Sequence, residues 1–260
     1  MSETLPPHRR IGSALGRFVG VPFRTATYKN LAYLALAWPL GILYFVGVTV
    51  GLSLGTGLLV TLVGVPILVV TLYLTTVIAG IEASLARLLV DVDAPTPALL
   101  RDATDSAAEG SGSVGDESGF DAFVAWTRRL LTTPTTWTAL VLVGLKFVFG
   151  LVSFVALVVL AVLTGTLLSA PLLLREPSLT VGVLRPEVGT GGIVGVTETG
   201  AAEVLWAVDS VPEAVGATVV GVLALLVGLH LLNGLARLGG LLTAALLDVG
   251  QPSEGAESTA

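Results

Sequence analysis

The chain contains no cysteine, so it forms no disulfide, offers no thiolate to a metal and has no thiol nucleophile. Charge is scarce too. Asp, Glu, Lys and Arg make up 12% of the residues, about half the quarter typical of a soluble domain. The lysines are Lys29 and Lys146 alone, and the histidines His8 and His230 alone. His8 belongs to the N-terminal tail, so the two do not meet as metal ligands. With 13 basic and 19 acidic residues the net charge is −6, which argues against nucleic acid as a partner because phosphates demand a basic face. An acidic, lysine-poor composition fits a high-salt proteome. There is also no P-loop, zincin helix or nucleophile elbow. These absences predict a non-enzymatic protein with no cofactor and no metal.

What fills the chain is apolar: 53% of its 260 residues are hydrophobic. Between Lys29 and Glu82 no Asp, Glu, Lys, Arg or His occurs. As helix, Leu31 to Ile81 would run roughly 78 Å at 1.5 Å per residue, against a hydrocarbon core of roughly 30 Å. Two helices fit, over 31–54 and 58–81, with the break at Gly55-Thr56-Gly57. A third is expected over 138–163, apolar as far as Leu174, and a fourth over 216–236. The lipid bilayer is therefore the primary partner.

The remaining segments divide the chain. Residues 1–30 form a basic N-terminal segment, with Ile11, Leu15, Phe18 and Val19 near helical spacing, as for a helix lying on the membrane. The apolar run after Lys29 is too long for a signal peptide, so this segment is expected to be retained. Residues 31–92 make the first helix pair with an amphipathic exit beyond Glu82, and 93–119 a disordered acidic linker. Residues 120–174 combine an interfacial helix, bearing Arg128 and Arg129, with the third span. A small cap is expected over 175–213, with strands at 179–184 and 193–197, a turn at 187–192 and a helix over 201–208. In it Glu187, Glu198, Glu203 and Asp209 read as acidic surface or cation ligands, and Trp206 as an anchor or core residue. The fourth span with its amphipathic exit occupies 214–249, and 250–260 is a disordered tail.

Arginine placement orients the spans. Arg17, Arg24, Lys29, Arg87, Arg128, Arg129 and Arg237 lie on the side of the N-terminus, against Arg175 and Arg185 opposite. The positive-inside bias puts both termini and the central segment in the cytoplasm and the cap outside.

Shifting the chain by 109 residues lays Thr27-Tyr28 on Thr136-Trp137, Leu31 on Leu140, Gly41 on Gly150, Phe45 on Phe154 and Val46 on Val155. Each half would be a helix pair with a cytoplasmic exit, which makes them parallel repeats. The fold class expected is thus an all-α integral membrane protein. Four transmembrane helices form two parallel-repeat pairs, with interfacial amphipathic helices and a small α/β extracellular cap.

Certain motifs carry a resemblance. Tyr-x-x-Leu-x-Tyr-Leu (Tyr28–Leu34), Pro-Leu-Gly-Ile (Pro39–Ile42) with Phe45, Gly-Val-Pro-Ile-Leu (Gly64–Leu68), and Glu82 with Ala86-Arg87-Leu88-Leu89 resemble the putative sensor domain family. These are multi-pass membrane modules of haloarchaea and actinobacteria, some fused ahead of a histidine kinase. The likeness covers about residues 20–247 and implies a signalling role with a cytoplasmic partner. No kinase or other output domain follows the fourth helix in this chain.

Polar residues inside spans are functional candidates because burying them is costly. Lys146 lies about 12 Å into the third span, where it snorkels, pairs, or contacts a ligand or ion. His230, Asn233 and Arg237 share one face of the fourth helix. With Glu82 they are expected to form a polar cluster near the cytoplasmic surface, serving as hydrogen-bonding anchors or as a switch on His230. Gly47, Gly51 and Gly55 form a small-residue packing ridge, and Pro39 and Pro66 are expected kink sites. Three functions follow as expectations: a sensor or signalling module, a small transporter or channel lined by Lys146 and His230, or a membrane scaffold. A homo-oligomer is compatible with each.

Overall fold

A computed structural model describes residues 16, 18–97, 100–101, 127–128, 132, 134–175, 179–184, 193–198 and 204–249. Most of the linker, most of the proposed interfacial helix at 120–131, the 187–192 turn with Glu187, Glu203, and the tail at 250–260 lie outside the described residues.

Four helices dominate: α1 (Thr25–Gly57), α2 (Gly64–Val90), α3 (Pro134–Leu173) and α4 (Val211–Val249). All four are long and apolar enough to cross a membrane. At 40 residues, α3 extends about 60 Å, twice the hydrocarbon thickness. The stretches beyond Glu82 and beyond Ala236 continue α2 and α4 without a break rather than forming separate interfacial pieces.

By contact density the described chain forms two units, one from Met1–Tyr28 and Val155–Gly234, the other from Lys29–Phe154 and Leu235–Ala260. In the second, α1 and α2 make a hairpin. Its turn is not at Gly55–Gly57, through which α1 continues, but at Leu58–Val63, where a short 3-10 turn (Leu59–Thr61) precedes Leu62 at φ 62°. A leucine in the left-handed region is uncommon because its Cβ crowds the following carbonyl, which is why sequence placed the break on glycines. Gly64 opens α2, so Pro66 falls in its first turn, where a missing N–H breaks no intrahelical bond. Pro66 is thus no kink site, whereas Pro39 lies well inside α1.

Small residues let these helices approach. A Cβ on Gly55 would stand 2.6 Å from the Leu68 side chain, and one on Gly51 would collide with Thr71. Gly47 departs from the ridge: nothing lies within 4 Å of its Cβ position. On α2, Ala79, Ala83 and Ala86 form a buried seam with Ala139 and Leu142 of α3 and Leu247 of α4. Hydroxyls within the helices are satisfied by their own carbonyls, as where Thr71 donates to Ile67 at 2.7 Å and Thr75 to Leu72 at 2.6 Å. Lipid offers them no alternative. The Ser153 hydroxyl, fully buried, has no such partner, and nothing in the structure explains it.

α2 ends where Asp91 turns left-handed (φ 54°) and the Val92 N–H reaches the Ala86 carbonyl at 3.3 Å, a Schellman-type stop. Arg87 then donates to the Ala94 carbonyl (3.3 Å) and the Thr96 hydroxyl (3.2 Å), folding the segment after α2 back along it.

In the other unit, strands β1 (Leu179–Leu184), β2 (Ile193–Glu198) and β3 (Val204–Ala207) form an antiparallel sheet in the order β2-β1-β3. Where a helix was expected over 201–208, the described residues Val204–Ala207 are a strand instead. The Val-Leu-Trp-Ala run has β-formers at two positions of four, and β1 offers an open edge. The cap is therefore a three-stranded β-sheet among the described residues, not an α/β unit. Val181 and Val208 pack with Leu167 and Ala170 of α3 and Ala214 and Ala217 of α4, which seats the sheet on the helix ends. Ser210 and Glu213 close a capping box at the start of α4: the carboxylate accepts from the Asp209 and Ser210 N–H groups at 3.0 and 3.2 Å.

Candidate functional site: a buried ion pair between membrane helices

Lys146 sits in the first third of α3 (Pro134–Leu173) among apolar neighbours, and its ammonium must find a partner or remain a bare charge in hydrocarbon. It finds two. Nζ lies 2.5 Å from Glu82 Oε2 of α2 and donates to the Tyr33 hydroxyl of α1 at 2.6 Å. The Lys146 and Glu82 side chains are 5% and 3% exposed, and Tyr33 is buried as well. Aromatic faces complete the enclosure: Nζ stands 5.0 Å from the Tyr33 ring centre and 5.7 Å from that of Phe149, within cation–π reach. Three helices thus converge on one charge pair. Breaking such a pair by removing one partner costs about 3–5 kcal/mol, while replacing both partners with packed apolar groups is often neutral or stabilising. The pair therefore fixes which helices meet more than it adds to stability.

The crossing of α1 and α3 holds this geometry. A Cβ on Gly41 would stand 2.9 Å from the Lys146 carbonyl oxygen, and one on Gly150 would collide with the Ala37 backbone. Trp38 stacks on Phe154 at 5.0 Å and Phe45 on Phe147 at 4.6 Å.

The other candidates sit elsewhere. His230 is on an exposed face of α4, stacked on Phe18 at 4.6 Å, with Nδ1 2.8 Å from the Leu226 carbonyl. A carbonyl only accepts, so that nitrogen carries the proton. Asn233 donates to the Thr27 hydroxyl at 3.3 Å, and Thr27 donates to the Val21 carbonyl at 2.9 Å, so His230 and Asn233 tether the segment before α1. Arg237 is exposed. Glu82, expected alongside these residues, instead pairs with Lys146, because an ammonium without another counter-charge outcompetes any surface role. Among the described residues, no three His, Cys, Asp or Glu side chains come together as metal ligands.

Sequence reasoning flagged both charges but did not join them. Glu82 is the first acid after a run of more than fifty uncharged residues, and Lys146 is the only charge of its span. Matching those two lone charges was the available signal. Tyr33 carried none.

A family model described as Putative sensor matches residues 33–247, which takes in α2, α3, the sheet, all but the outer ends of α1 and α4, and the ion-pair residues Tyr33, Glu82 and Lys146. The chain belongs to the Putative sensor family. No curated protein and no solved structure matches it.

Proposed function

We propose that this chain is a non-enzymatic membrane sensor in which the Glu82–Lys146 pair is the element with two positions. A stimulus in the bilayer or at the cap changes helix packing, and a cytoplasmic partner reads the change at the inner helix ends. The observation that carries the reading is the burial of a full ion pair between α2 and α3, where an apolar contact would stabilise as well. A salt bridge between two helices has a made and a broken geometry, and labels on those helices can tell the two apart.

The arginine distribution supports cytoplasmic termini and an external sheet. The α1–α3 crossing supports a parallel repeat. Subtracting 109 from Lys146 and Phe147, which face Gly41, gives Ala37 and Trp38, which face Gly150. The same shift converts the Trp38–Phe154 stack into Phe147–Phe45. Leu85-Ala86-Arg87-Leu88 of α2 also recurs as Leu235-Ala236-Arg237-Leu238 of α4. The 150-residue shift lays Leu232 on Glu82 and the 109-residue shift lays Ala37 on Lys146, so the charge pair joins one half to the other and the repeat-equivalent positions are apolar.

The test uses the native lack of cysteine. Cysteines introduced at Leu88 and Val141, both exposed, carry spin labels on the full chain in nanodiscs of short-chain and of long-chain phosphatidylcholine. Two label separations whose proportions differ between the bilayers are expected; one separation, identical in both, contradicts the proposal. Solute uptake into liposomes that disappears in Lys146→Ala would favour a transporter instead. An obligate partner found by crosslinking, with no bilayer response, would favour a scaffold.

A further inference from the structure

Beside the ion pair, α1 and α2 part. Below Gly47 the two helices are locked by Gly51 against Thr71 and Gly55 against Leu68. At Gly47 itself they enclose a groove of about 330 Å³. Leu43, Tyr44 and Gly47 line one wall, and Leu74, Ile78 and Ile81 the other. Thr71 also borders it, but its hydroxyl is committed to the Ile67 carbonyl. The lining therefore presents almost nothing that water can bond, and apolar cavities of this kind stay dry. An unfilled one forfeits the dispersion contacts of its walls.

The groove opens sideways, since Leu43, Leu74 and Ile81 are exposed, and it lies within two bilayer-crossing helices. At that depth the surrounding medium is hydrocarbon chains. We propose that the groove is a binding site for one hydrocarbon chain of a bilayer lipid. The site adjoins the charge pair: Ile81 precedes Glu82 in α2, Ile78 lies one turn before it, and Tyr44 interacts electrostatically with Glu82. A chain entering or leaving wedges α1 from α2 next to the α2–α3 bridge. The consequence for signalling rests on the sensor reading, whereas the site itself does not.

Gly47 provides the test, because its Cβ position is empty to 4 Å and a larger side chain there fills the groove without meeting the helices. The full chain is placed in nanodiscs containing phosphatidylcholine with a mid-chain diazirine, irradiated, and its labelled residues are mapped by mass spectrometry. Labelling is expected to concentrate on the groove walls, several-fold above lipid-facing residues such as Val148 and Val159, and to fall to that background in Gly47→Leu. Leu43→Trp, which plugs the groove from an exposed position, serves if Gly47→Leu does not fold. Gly144→Leu, also at an open glycine, should leave the pattern unchanged. Uniform labelling of all lipid-facing residues, or groove labelling that survives both plugging variants, overturns the site. Groove labelling with a single, invariant α2–α3 separation defeats the sensor reading and leaves the site standing.

Discussion

At the scale of the residue, Lys146 and Glu82 each make sense only with the other. Lys146→Ala leaves a buried carboxylate and Glu82→Ala a buried ammonium, so each single variant should lose about 3–5 kcal/mol. Glu82→Leu combined with Lys146→Ala should be as stable as the native chain or more so. Reversible unfolding in bilayer or detergent measures all three, and a double variant that loses the sum of the two single losses would mean the two charges do not interact. Lys146 and Glu82 were legible in the sequence as isolated charges in apolar surroundings. Their pairing was not, because α2 and α3 are separated by a linker whose geometry no local pattern encodes. His230 shows the converse. Its titratable ring drew attention in sequence, whereas its stacking on Phe18 left no trace there.

At the scale of the element, close helix approach is decided by individual glycines. Gly41→Ala and Gly150→Ala place a methyl against the opposing backbone and should each cost about 1–3 kcal/mol by overpacking. Gly47→Ala should cost nothing measurable. Stability measurements on the three variants check this, and equal behaviour would show that the ridge acts as a whole. Capping gives a second expectation. Asp91 holds a left-handed conformation at the end of α2, so Asp91→Gly should stabilise by about 1 kcal/mol in the same unfolding assay. The four helices were readable from hydrophobic length alone. Their turns were not: glycine at 55 and 57 attracted the break that Leu62 makes, and the short β3 strand read as helix because its pairing with β1 is a tertiary choice.

For the whole molecule, four apolar helices and the uneven placement of arginine make a topological expectation. Single cysteines at residues 110 and 190, in a chain with none of its own, should be labelled by a membrane-impermeant reagent from opposite faces of sealed vesicles, the former from the cytoplasmic side. Labelling of both from one side would remove the parallel repeat along with the orientation. Hydropathy reached this level readily, since a span needs only length and lack of charge. It could not reveal where α3 and α4 end, because the turns that carry the sheet are themselves apolar.

The claim that the ion pair signals, rather than merely packs, meets its sharpest test in the Glu82→Leu, Lys146→Ala double variant, which gives both positions the residues at their apolar repeat equivalents, Leu232 and Ala37. Spin-label separations between positions 88 and 141 are compared with the native chain in both bilayers. The account predicts a folded, equally stable protein locked at one separation; a double variant whose populations still shift between bilayers as the native chain's do would contradict it.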